Sequence, residues 1–278
     1  VETVKAPDNA GMISGGSSTL VAGTNGSTIN IKGGIFNVNA KAINVAGSTF
    51  EMTGGYIVGC SVTGDNGAAI NAANSAVTIA GSAVIAGNKV EAPNAGAYTG
   101  GNGGGIALFA TEGSMEATVG GKAIIAGNIA KCANTTDAYN RPTNGLGGGI
   151  YTKSTKGAMT LNIGGDAVIS GNTASFDGGG IYHMQGKLNL GGSAYITNNV
   201  AEKGQEIAES NGSAYPVHYG GGGIFSLDLV NINGAVKVTS NKAGGSGGGL
   251  LMASQGNQVT AVLKMDSGYF AGNLAITN

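Results

Sequence analysis

Apolar residues recur along this chain in pairs separated by a single residue. The pairs are Ile29/Ile31, Phe50/Met52, Val77/Ile79, Ala117/Val119, Leu161/Ile163, Leu188/Leu190, Val230/Ile232 and Leu263/Met265. Alternation over so few positions predicts short strands with one buried face. Beyond each pair comes an apolar residue placed three positions before an asparagine. The instances are Phe36–Asn39, Ile85–Asn88, Ile125–Asn128, Ile169–Asn172, Ile196–Asn199, Val238–Asn241 and Phe270–Asn273, with Ile57–Cys60 as a variant. A glycine run ending in Ile or Leu then follows in most units: Gly103–Ile106, Gly147–Ile150, Gly178–Ile181, Gly221–Ile224 and Gly247–Leu250. Degenerate forms end at Ile43 and Ile70.

These landmarks define one repeating unit with three short strands: GGGI, then L-x-V, then A-x-I-x-x-N. A single unit cannot bury its own apolar face, so units must stack. The pattern predicts an all-β, right-handed parallel β-helix of about eight coils with three short strands per coil. The interval between Asn172 and Asn199 is 27 residues, whereas Asn128 to Asn172 takes 44. The excess must loop outward at corners, which assigns 89–102, 131–146 and 202–219 to one edge and 107–116, 151–160 and 251–262 to another. One helical domain spans 28–278, preceded by an irregular arm or cap at 1–27 in which 12–22 form a poor first coil.

The corner asparagines Asn39, Asn88, Asn128, Asn172, Asn199, Asn241 and Asn273 predict a structural ladder. Asparagine tolerates a left-handed conformation, and stacked amides can bond to one another. Cys60 interrupts that ladder with a small, buriable side chain. The glycine runs let the backbone turn sharply. The distance from the second-strand apolar residue to the third-strand one is six residues from Ile79–Ile85 to Ile232–Val238. It is five at Ile31–Phe36, Met52–Ile57 and Met265–Phe270, which predicts a different corner near the ends.

Composition narrows the function classes. Glycine makes up 54 of 278 residues, yet 41% of the chain is hydrophobic and in register, so it can build a core. The net charge is −1 with no basic run, which excludes a nucleic-acid footprint. No apolar stretch is long enough for a spanning helix, so direct membrane insertion is not expected. Cys60 and Cys132 fall two coils apart, about 10 Å along the axis, too far for a disulfide.

GGGI combined with F/I-x-x-N resembles the GGA(I/L/V) and FxxN repeats of chlamydial polymorphic outer membrane proteins, and also the β-helical surface proteins of gut Gram-positive bacteria. The resemblance covers roughly 28–278, with literal FxxN at Phe36–Asn39 and Phe270–Asn273. It implies an extracellular, cell-surface, non-catalytic adhesin without a cofactor.

Parallel β-helices also carry pectate-lyase-like enzymes, which need clustered carboxylates on one face. Here Asp166, Asp177, Asp228 and Asp266 occupy four different repeat positions, and the single arginine, Arg141, lies in an insertion. His183 and His218 have no metal-pair spacing. A phage tailspike-type fibre is a further reading.

Two surfaces are expected to make contacts. The corner insertions hold Tyr98, Tyr139, Tyr215 and Tyr219. The residue after each GGGI isoleucine should point outward, giving an exposed row of Tyr151, Tyr182, Phe225 and Leu251. Such a row suits a glycan or a host-surface ligand. The chain also ends part-way through a coil without a polar cap. Exposed strand edges invite pairing, so self-association through coil ends into a filament, or docking into a larger surface protein, is the expected partnership.

Overall fold

A computed structural model describes residues 11–14, 16, 18–92, 100–132, 144–203, 206–210, 213–217, 219–254 and 260–276. It is a parallel β-helix. Strands stack one per coil into long parallel sheets, and the three strands predicted for each coil are all present. A short fourth strand follows the corner asparagine. One coil runs Ile150–Ser154, Ala158–Ile163, Val168–Ser170 and Thr173–Ala174. These four positions define what we call the first to fourth sheets. An antiparallel hairpin, Glu206–Ser210 with Ser213–Val217, is inserted after one corner.

The pairing register follows the apolar landmarks. On the first sheet Ile106, Ile150, Ile181, Ile224 and Leu250 align coil upon coil. On the second, Val119, Ile163, Leu190, Ile232 and Met265 align. On the third, Ile57, Ile85, Ile125, Ile169, Ile196 and Val238 align. Apart from Met265 in the last coil, these rows fill the interior as one continuous core. A one-residue slip would turn every one of them outward, so burial fixes the register.

The asparagine ladder gives the corner its hydrogen bonds. Asn172 Nδ2 donates to Ile125 O of the preceding coil at 3.0 Å and to Asn199 Oδ1 of the next at 2.9 Å. Its Oδ1 accepts from Asn128 N and Nδ2, both at 2.9 Å. The same pattern runs from Asn88 to Asn273. Asn88, Asn128, Asn172, Asn199 and Asn241 are wholly buried, so these bonds form away from competing water. Cys60 occupies the ladder slot, and its N–H donates to Asn88 Oδ1 at 2.9 Å.

The left-handed residue at this corner is the one before the asparagine, not the asparagine itself. Gly87, Gly127 and Gly171 have φ of 64°, 62° and 61°, and Asn198 and Ser240 adopt 55° in the same position. The first coil lacks this residue, and so Asn39 does not join the ladder. Asn39 is exposed, while Val38 is buried in the slot and its carbonyl accepts from Ser61 N.

The glycine run has a second purpose besides turning. Only its first member is left-handed, as at Gly147 with φ 64°. A Cβ on Gly148 would lie 2.5 Å from the backbone carbon of Thr173, and one on Gly149 would lie 3.1 Å from Asn172 Cγ. GGGI and x-x-N are therefore two sides of one contact, in which the glycine backbone packs directly on the asparagine corner.

Two further expectations shift. Parallel pairing reaches back to Met12–Ser14 and Val21–Thr24, so the helix starts ahead of the boundary drawn at 28. The two corner spacings are two turn types. The six-residue form closes with Ala83 N donating to Ala80 O around a left-handed Gly81. The five-residue form turns on a single left-handed glycine, Gly34, Gly55 or Gly268.

Asn172→Ala removes these bonds and strands the buried Asn128 N–H and Ile125 carbonyl. It is expected to destabilise the protein by about 3–5 kcal/mol in chemical denaturation. Asn39→Ala should stay within about 0.5 kcal/mol of the parent. Equal losses for the two would show that the ladder is not the stabilising element.

Candidate contact surface

The row after the GGGI isoleucines forms as a row. Tyr151 and Tyr182 stack with centroids 5.4 Å apart and planes 19° apart, and Tyr182 and Phe225 stack at 4.9 Å and 4°. Phe109 extends it, tilted, at 5.8 Å from Tyr151. The row is not exposed as expected. Tyr151, Tyr182 and Phe225 are buried, and Leu251 is half-buried against them. The outward face of the first sheet is covered by chain leaving and re-entering the corners. Leu146, Phe176, Tyr219 and Leu227 pack over it and form a second apolar core. The flat aromatic faces offer much area, and covering them is favourable.

Tyr219, expected on an exposed corner loop, is 1% exposed and its ring lies 5.3 Å from Phe176. Tyr98 and Tyr139 lie outside the described residues, as do Arg141 and His218. Tyr215 falls in the hairpin strand Ser213–Val217, and its side chain is likewise outside what is described. Cys132 is buried in the second core and Cys60 in the first, and the two are not joined by a disulfide.

A carboxyl and an imidazole are sealed inside. Asp177 precedes a glycine run, and its Oδ1 accepts from Gly220 N at 2.7 Å, pinning the returning chain next to Tyr219. Burial pushes its carboxyl up to about 7, against a smaller opposing effect of that hydrogen bond. His183 points into the main interior, one residue beyond Tyr182. Its Nδ1 is 2.9 Å from Thr152 Oγ1 and its Nε2 finds no partner. Burial pushes the imidazole down to about 4, opposed more weakly by the Gly186 backbone and the Asp228 carboxylate. Neither group reaches solvent in this state, so both act on stability.

The surface that sequence reasoning missed lies on the second sheet. Its outward row runs Thr118, Asn162, Asn189 and Asn231 in successive coils. Asn231 Nδ2 donates to Asn189 Oδ1, Asn189 Nδ2 to Asn162 Oδ1, and Asn162 Nδ2 to Glu116 Oε1, each at 2.8 Å. Beside this row an open trough of about 440 Å³ runs over Gly120, Gly164 and Gly191. The signal was present in the sequence, because each of these asparagines sits between the two apolar residues of a second-strand pair. Among the described residues no group of three or more His, Cys, Asp or Glu side chains is placed to hold a metal. No described helix is long and apolar enough to cross a membrane. No protein-family model, curated protein or solved structure matches the chain.

The two sealed groups impose opposite pH dependences. The Asp177 carboxyl is more basic in the folded state, so its contribution is full below about pH 4 and is lost as pH rises to about 7. The His183 imidazole is more acidic in the folded state, so stability rises between about pH 4 and 6.5 as the charged form disappears. In the parent the two slopes largely cancel. Asp177→Asn should therefore gain on the parent by on the order of 4 kcal/mol between pH 4 and 7.5. His183→Gln should lose the rising limb, worth on the order of 3 kcal/mol. Denaturant midpoints across this range check both. Parallel pH curves for parent and variants would contradict the assignment.

Proposed function

We propose that this chain is a non-catalytic, extracellular surface element, a rigid adhesive or structural β-solenoid whose coils stack end to end into a filament. The observation that carries the reading is where the buried polar groups go. The corner asparagines, the glycine-run carbonyls and the buried Asp177 are all engaged in joining one coil to the next. That is the chemistry of a rod rather than of a reaction centre. The low charge and amide-rich surface fit the same role, as does the resemblance to bacterial surface-protein repeats.

Stacking has a defined chemistry. In the last coil Asn273 accepts from Asn241, but its own backbone N–H has no acceptor among the described residues. Around it Leu263, Met265 and Leu274 are 44%, 42% and 52% exposed. This face accepts a further coil with a corner amide and an apolar interior. A further coil placed there, of this chain or of a neighbouring molecule, buries the edge and extends the rod.

Electron microscopy and sedimentation across a concentration series test the reading. The expected result is end-to-end particles that lengthen with concentration, and their loss on Leu263→Lys, which places a charge in the stacking face. Particles that stay monomeric at about 1 mM would overturn the filament. Release of unsaturated or reducing ends from pectic polysaccharides would overturn the non-catalytic reading.

A further inference from the structure

We propose that the trough on the second sheet binds a short, linear, uncharged oligosaccharide lying along the solenoid axis. The proposal rests on the adhesive reading above and assigns it a surface and a ligand class.

The first observation concerns glycines that folding does not require. At each six-residue corner two residues follow the second apolar residue of the pair, the first of them Ala80, Gly120, Gly164, Gly191 or Asn233. The second of them, Gly121, Gly165 or Gly192, is left-handed with φ of 60–61°, and its Cβ would meet backbone of the preceding coil at 2.6–2.7 Å. Those glycines are obligatory. The first of them is different. Gly120 and Gly164 have ordinary φ, a Cβ on Gly164 would meet nothing within 4 Å, and one on Gly120 would touch only Thr118 Cγ2 at 3.9 Å. Other coils carry Ala80 and Asn233 at this position. The corner thus tolerates a side chain, and Asn233 lines one end of the trough; Gly191 is confined by Asn233 O, 3.3 Å from where its Cβ would lie, but Gly120 and Gly164 have room and carry none. The clearance matches a need outside the fold, namely the approach of a ligand to bare backbone.

The second observation is the amide row along the trough. Asn162, Asn189 and Asn231 are tied into a chain by one N–H each. This fixes their orientation and leaves each amide with a second N–H for an outside partner. The result is a pre-ordered set of donors and acceptors repeating at the coil spacing of about 4.8 Å.

The ligand class follows from this chemistry. None of the residues lining the trough is ionisable, and Glu116 and Lys264 stand only at the two ends of the amide row, so a charged ligand along the floor would lose hydration without compensation. Sugar hydroxyls both donate and accept, as the amides do, and a pyranose ring is close to one coil rise in length. Its C–H face suits the glycine floor. An extended peptide advances about 3.4 Å per residue and would fall out of step. The volume, about 440 Å³, lies within the usual range of small-ligand sites.

Calorimetric titration with cellotriose, chitotriose and mannotriose tests the proposal, with trigalacturonate and a glycine–serine peptide as counter-probes. At least one neutral trisaccharide should bind with a Kd of about 1 mM or tighter. Gly164→Leu fills the trough without touching the fold, and should weaken binding by about tenfold or more at an unchanged melting temperature. Gly120→Leu provides the same test if the first variant folds poorly. Failure of all neutral probes, binding only to the acidic sugar or the peptide, or undiminished binding in the folded glycine variants would overturn the site. Cleavage of a bound trisaccharide would instead overturn the non-catalytic reading and leave the site standing.

Discussion

The contact between the glycine run and the asparagine corner is the constraint on which the rest of the structure depends. Two backbones meet there with no room for a Cβ between them. Close approach of bare backbone would normally leave peptide groups buried and unpaired, which is costly. The asparagine resolves this because its amide supplies two donors and an acceptor within one short side chain. It reaches the coil before and the coil after, so each corner is fixed by its neighbours rather than by itself. Stability of this kind is cooperative along the axis, as in other one-dimensional arrays. The substituted slots at Val38 and Cys60 mark where that array gives way to plain apolar packing.

Covering the first sheet changes how the solenoid relates to its surroundings. An aromatic row stacked at coil spacing is an obvious contact surface when only the strand pattern is considered. Here it serves instead as the floor of a second core roofed by Leu146, Phe176, Tyr219 and Leu227. The insertions are thus part of the folded body at their bases. Asp177 shows the consequence: its carboxyl holds the returning chain at Gly220, and the same burial that seals the aromatics raises its proton affinity. Covering this face leaves the second sheet, with its outward row of Thr118, Asn162, Asn189 and Asn231, among the open ones.

The fold was legible because its rule is local and repeated. The inward rows of the first three sheets could be read from alternation and from x-x-N spacing, because inward and outward positions alternate along a strand; the fourth row, Val90, Ala130, Ala174, Ala201 and Ala243, could not, because its strands are as short as two residues. What the sequence did not reveal depends on contacts between distant segments. Asn39 satisfies the pattern but misses the ladder, because the pattern does not register the missing left-handed residue before it. At the start of the helix the first strands lack the full set of landmarks, so only a poor first coil could be read at 12–22 and the boundary fell at 28. Tyr151, Tyr182 and Phe225 were correctly placed on one face, but whether that face is open depends on where the corner insertions fold. Pattern cannot decide that, because an insertion has no period.

The distinction between required and unrequired glycines extends this reasoning from fold to surface. In a chain so rich in glycine, abundance alone carries no functional information. Left-handed glycines, and those pressed on neighbouring backbone, are explained by the coil. Once these are set aside, few remain, and Gly120 and Gly164 stand side by side along one trough. In the same position other coils carry Ala80 and, at the end of the same trough, Asn233, so the solenoid itself supplies the control. A repeat protein allows this comparison because each coil solves the same folding problem. A position that departs from the other coils without a folding reason therefore points outward, to what the surface meets.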